Sequence, residues 1–176
     1  LRIALAFLLQ LVQTVIPRTI SLQRPARPPR VAYSDAEYTP GKPPQLGWVI
    51  FEHTQEVQCA GCMSVSDVGT GIWKHREQQI FPAEVMAVSV ALENHCEVLR
   101  GRDIIWCVDN EFACSTLIRG ASSEEDVQSI AACTMYLAML FGVRIWYEWI
   151  DTNANPSDGL SREGADDVQY GRIAKE

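Results

Sequence analysis

The chain has 176 residues, 47% of them hydrophobic, and a formal net charge of −7. That length suits a single domain with a core of its own, in no need of a disulfide or metal staple. The acidic balance argues against a free-standing nucleic-acid binder, which would carry a basic footprint, but it leaves room for an enzyme whose acidic site draws in cations.

Residues 1–20 read as an apolar helix broken at Pro17. The run Ile3 to Val12 is too short to cross a bilayer and lacks a small-residue cleavage site, so residues 1–21 are expected to be the tail of an upstream domain, with no membrane partner. Residues 22–30 (LQRPARPPR) form a basic, proline-rich linker that should stay extended. The globular domain is then expected over residues 31–165, with 166–176 as a C-terminal tail.

Within the domain, Val31 to Asp35 is a short buried-strand pattern, and the Pro and Gly content of Thr39 to Gln45 marks a loop. Leu46 to Glu52 (LGWVIFE) is rich in β-branched and aromatic residues and reads as a second strand. A third is expected between Glu56 and Val65. Pro82 suits the first position of a helix, and Val85, Val88, Leu92, Cys96 and Leu99 share one face of it at the helical period, with Gly101 as its stop. Asp103 to Val108 is a fourth strand. A short helix from Asn110 to Ile118 follows, and Ser122 to Glu125 matches a capping box that opens another helix running to about Phe141. Val143 to Ile150 is a fifth strand, and a last helix begins near Asp158. Opening strands followed by strand–helix alternation predict an α/β fold: a mixed five-stranded sheet, three strands antiparallel and then two parallel, flanked by helices.

Four acids hold special places in this layout. Asp35 ends the first strand, Glu84 lies in the first turn of the first core helix, Asp109 ends the fourth strand, and Asp158 opens the last helix. Ligands of α/β sheets gather where strands end and helices begin, so the four carboxylates are expected to converge. Such a cluster repels itself and calls for hard divalent cations, and a pair of Mg²⁺ ions about 4 Å apart is the usual device for in-line phosphoryl displacement. Each acid alone has a plainer reading as a helix cap or a favourable charge at a helix N-terminus. Cys59 and Cys62 form a C-x-x-C with no second ligand pair at zinc-site spacing, so Ala60-Gly61 reads as a turn rather than part of a metal site. The remaining cysteines sit in apolar patterns, where a thiol behaves as a small hydrophobe.

The local sequences around the acids carry a resemblance. Tyr33 to Trp48 (YSDAEYTPGKPPQLGW), Gln79 to Ala87 (QIFPAEVMA), Val108 to Ala113 (VDNEFA) and Asn155 to Arg162 (NPSDGLSR) resemble, in order, the four motifs of type 1 ribonucleases H in the form carried by retroelement reverse transcriptases. The resemblance covers about residues 31–165 and implies a ribonuclease H-like fold that hydrolyses the RNA strand of an RNA–DNA hybrid, within a retroelement reverse transcriptase polyprotein. It implies that Asp35 bridges two Mg²⁺ ions, for which Mn²⁺ can substitute, that Glu84 and Asp109 hold the ion at the leaving 3′ oxygen, and that Asp158 holds the ion at the attacking water. Asn110, Asn155 and Arg162 are the implied substrate-side residues; helix capping and fixing of the site loops are the alternatives for the two asparagines. The partners it implies are the hybrid and an upstream reverse transcriptase domain, in an intracellular setting.

Two departures from that family stand out. The loop Asp151 to Ser157 has no histidine, and the place of a basic protrusion is taken by the acidic stretch Arg119 to Asp126 (RGASSEED). Three rivals remain. A four-acid 3′–5′ exonuclease would use Asp35 and Glu37 as its Asp-x-Glu but would give Glu84 no task and expects a Tyr or His shortly before its last Asp. A transposase or integrase would place its Glu last. An inactive ribonuclease H-like binding module would have no need of four intact acids.

Overall fold

The computed structural model describes residues 27–52, 56–66, 70–71, 73–74, 76–77 and 79–174. The expected upstream tail and most of the linker therefore lie outside the described residues.

Five strands, β1 (Arg30–Glu37), β2 (Gln45–Phe51), β3 (Val57–Ser64), β4 (Asp103–Val108) and β5 (Arg144–Trp149), form one sheet in the order β3-β2-β1-β4-β5. The β1–β2 and β2–β3 pairs are antiparallel, and the β1–β4 and β4–β5 pairs are parallel, as the alternation of elements predicts. The longer helices are α1 (Ile80–Asn94), α3 (Glu111–Arg119) and α4 (Glu125–Leu140), with shorter α2 (Cys96–Leu99), α5 (Asp158–Glu163) and α6 (Gly171–Ala174).

Strand alternation sorts the core into two layers. Trp48, Ile50, Ile104, Trp106 and Val108 face α1 and α4 and pack with Val85, Val88, Leu92 and Val127. Val49 and Ala60 face the other way and pack with Leu160 of α5 and with Tyr170. Trp106 is fully buried, and its indole N–H donates to the Ser34 hydroxyl at 3.0 Å, so the largest core side chain leaves no polar atom unpaired. Burial of each large apolar side chain contributes roughly 1.5–3 kcal/mol.

The structure corrects several local expectations. α1 starts at Ile80, so Pro82 is its third residue; that is tolerated because no N–H in the first turn has a partner within the helix. The same helix stops at Asn94, and the short α2 intervenes before Gly101, which adopts φ 68°. No capping box forms at α4. Glu124 occupies its cap position without a side-chain cap, and the Ser122 hydroxyl accepts from the Glu124 N–H at 3.2 Å instead. The helix entry is held by Arg76, which bonds both oxygens of Asp126 at 2.6 and 2.7 Å and keeps that carboxyl well below the usual range. The C-x-x-C is no turn either. It lies within β3, and being three positions apart Cys59 and Cys62 point to opposite faces, one into each core layer. Finally, β1 begins one residue early: Arg30 is buried and bonds Glu52 at 2.6 Å and the Val98 carbonyl, which makes it part of the domain rather than of the linker. At the other end, Tyr170 is buried in the second core layer, so packing continues into the expected C-terminal tail.

Candidate metal centre

The parallel pairing of β1 with β4 sets Ser34 beside Val108, so the next residues along each strand, Asp35 and Asp109, emerge together at the carboxyl end of the pair. Glu84, on the first core helix, is 3% exposed, and Asp35 is 5% exposed. One carboxylate oxygen from each of Asp35, Glu84 and Asp109 lies within 4.8 Å of the others. Asp158, at the start of α5, lines the same cleft, together with Asn110, Thr152 and Arg162. All four expected acids therefore meet in one cleft, three as a tight cluster and Asp158 at its rim.

Electrostatics mark the cluster as incomplete without positive charge. Burial raises the Asp35 carboxyl to about 7, opposed by the Ser161 hydroxyl, which donates to it, and reinforced by the charges of Asp109 and Asp158. Burial also drives Glu84 well above its ordinary range, with Asp35 and Asp109 adding to the effect. The Glu84 Oε2 atom is buried and has no hydrogen-bond partner. An orphaned buried carboxylate oxygen is costly, and a hard cation ligated by oxygen would satisfy it. The residues present thus fit a divalent metal.

The substrate-side candidates have separate fates. Asn110 caps α3, its side-chain oxygen accepting from the Ala113 N–H at 3.0 Å, and it lines the cleft as well. Asn155 is buried; its Nδ2 donates to the Ser34 carbonyl at 3.1 Å and its Oδ1 accepts from the N–H and hydroxyl of Ser157. It fixes the site loop, the alternative to substrate contact that its position allows, because both ends of its amide are engaged inside the protein. Arg162 pairs with Asp158 at 2.9 Å, one helical turn away, and its side chain is 59% exposed at the cleft.

The docking of α5 depends on residues that the acid pattern does not mark. Any side chain at Gly47 would come within 2.5 Å of the Ser161 backbone nitrogen and 2.8 Å of the Ser157 carbonyl oxygen. Close backbone approach at this glycine is what lets the Asp158 helix lie on β2, across from Asp35, which pairs with Gly47 in the sheet. Gly61, on β3, leaves room for the Trp48 ring, whose N–H donates to His95 Nε2 at 2.8 Å. Ser161 was the least visible contributor: it sits within the last motif, yet only the fold shows its hydroxyl meeting a carboxylate 126 residues earlier in the chain.

No family model and no curated protein sequence matches the chain. Solved structures do. Ribonuclease H1 from Halobacterium salinarum NRC-1 superposes with a TM-score of 0.64 at 19% identity, over 80% of this chain and 100% of that one. LC11-RNase H1, in complex with an RNA/DNA hybrid, gives 0.64 at 17% identity, over 76% and 94%. A foamy viral protease-reverse transcriptase in complex with an RNA/DNA hybrid gives 0.53 at 12% identity, over 85% of this chain and 22% of that longer one. The sheet order, the helix on each face and these superpositions agree: the chain has the ribonuclease H fold.

Proposed function

We propose that this chain hydrolyses the RNA strand of an RNA–DNA hybrid with divalent cations held by Asp35, Glu84, Asp109 and Asp158. The observation that carries the reading is the cluster of three carboxylates within 4.8 Å, in which Glu84 keeps a buried oxygen without a partner. A four-acid exonuclease would leave Glu84 idle and recruit Glu37, whereas here Glu84 is in the cluster and Glu37 is only in the wall of the cleft. Two of the similar structures are complexes with RNA/DNA hybrid, which supports the substrate class.

Mg²⁺, with Mn²⁺ as a substitute, would neutralise the scissile phosphate and lower the pKa of water at the cluster. The chain itself supplies the rest. Asp35 stands in the cluster with Glu84 and Asp109 and is close enough to Asp158 to feel its charge. The Arg162 guanidinium is exposed at the cleft, within reach of a phosphate once Asp158 is engaged elsewhere. Asn110 presents the N-terminus of α3 to the same cleft. Choice of RNA over DNA would rest on the 2′-hydroxyl, the group that separates the two strands of a hybrid. We place the domain after a reverse transcriptase in one polyprotein; the sequence motifs and the foamy viral superposition support that setting.

The deciding experiment offers a hybrid labelled on either strand. Mg²⁺-dependent internal cleavage of the RNA strand alone, absent in chelator, is expected. Equal cutting of the DNA strand, or stepwise shortening stopped by Glu37→Gln, would overturn the reading in favour of the exonuclease.

A further inference from the structure

We propose that Ser161 is a positioning residue for the Asp35 carboxylate, fixing the rotation of that group so that it meets the metal ready oriented; the proposal rests on the reading of Asp35 as a metal ligand. Ser161 is 1% exposed, and its hydroxyl lies between two acceptors, the Asp35 Oδ2 atom and the Asp158 carbonyl oxygen at 2.9 Å. A hydroxyl has one proton to give, and the carboxylate is the stronger acceptor. Donation to Asp35 therefore holds the carboxylate in one rotation through its Oδ2 atom, while the lone pairs left over stay available to a cation.

The serine is held rigidly enough to do this. Its backbone N–H bonds the Ser157 carbonyl at 3.1 Å, and the contact at Gly47 seats that same backbone on β2. One side chain thus links the strand that carries Asp35 to the helix that carries Asp158, through the metal-binding group itself rather than through the loop alone. Partners of this kind behind a metal ligand orient it, and their loss lowers metal affinity by about 10–100-fold.

The test uses the full chain and Mn²⁺ alone, with no substrate, followed by calorimetry. Ser161→Ala is expected to bind Mn²⁺ about 10–100-fold more weakly than the parent while keeping its circular dichroism. Ser161→Cys, close in volume but a weak donor, should lose affinity likewise and covers the case in which the alanine variant does not fold. Thr134→Val is the comparison: it removes a buried hydroxyl from α4, one that meets the Ser89 hydroxyl at 2.5 Å and belongs to neither the acid cluster nor the α5 loop. It is expected to stay close to the parent affinity. Parent-like Mn²⁺ binding by the Ser161 variants, or an equal loss in Thr134→Val, would overturn the positioning role. A parent that binds no Mn²⁺ would overturn the metal reading itself.

Discussion

The side-chain amide of Asn155 donates to the backbone carbonyl of Ser34 at 3.1 Å, across 121 residues of sequence. That bond fastens the loop before Asp158 to the strand residue before Asp35, so two acids from opposite ends of the domain are registered by a neutral group. Asn155→Ala would leave the Ser34 carbonyl and the Ser157 donors without this partner in a buried setting. A stability loss of about 1–3 kcal/mol is expected, read from the denaturation midpoint in urea.

Asp35→Asn and Asp109→Asn are expected to reduce Mg²⁺-dependent cleavage of the hybrid to background while leaving the circular dichroism spectrum unchanged, since each removes a ligand charge from the cluster. Retained cleavage in either variant would remove that residue from the metal site.

The raised carboxyls predict how stability varies with pH. An acid whose folded pKa exceeds its unfolded value stabilises the fold most below the unfolded value, and that contribution is lost as pH rises through the folded value. For Asp35 the window runs from 3.8 to about 7, with Glu84 shifted in the same direction. In chelator, this pair should therefore cost stability as pH rises from 4 to 8, and divalent metal should restore it. At pH 8 without metal, Glu84→Gln is expected to raise the melting temperature, by about 2–4 °C for each kcal/mol of repulsion removed. A lower melting temperature under those conditions would contradict the account of the cluster.

Arg162→Ala tests the cleft rim. Its pair with Asp158 is largely solvent-exposed, so the change in stability should be under about 1 kcal/mol. Hybrid affinity, measured in Ca²⁺ to suppress cleavage, should fall, and the slope of log affinity against log salt should shrink by about one unit if Arg162 takes a phosphate. An unchanged slope would leave Arg162 as the partner of Asp158 alone.

Zinc is expected to be absent from the purified chain, and chelator should not unfold it at neutral pH. Cys59 and Cys62 face opposite sides of the sheet, and burial pushes the Cys59 thiol up to about 11, far from the thiolate that zinc requires. Stoichiometric zinc lost in Cys59→Ser would refute this.

The sequence was most readable where burial and periodicity act together. The strand around Trp48 and the strand before Asp109 are flanked by turns and rich in β-formers, and both lie within a residue or two of their expected limits. Asp109 and Asp158 were readable because each sits where one element gives way to the next, whereas Asp35, inside β1 rather than at its end, and Glu84, past the first turn of α1 rather than in it, were readable through the motifs around them. Cap chemistry was not, because Arg76 reaches in from another part of the chain and competes with the local Ser122 pattern for the start of α4. Ser161 was hidden for a related reason: its partner is set by the sheet and by the approach at Gly47, neither of which leaves a mark at short range.

The close approach at Gly47 also bears on how sequences of this kind are sorted into working and silent copies. A copy can keep every acid, and the residues on either side of each, yet lose the seat of the Asp158 helix through a single alanine at this position, since the atoms in the way are backbone and have nowhere to retreat. Inventories of intact carboxylates would score such a copy as live. The glycine in front of Trp48 belongs in the same inventory, as a position in the signature whose requirement is an absence.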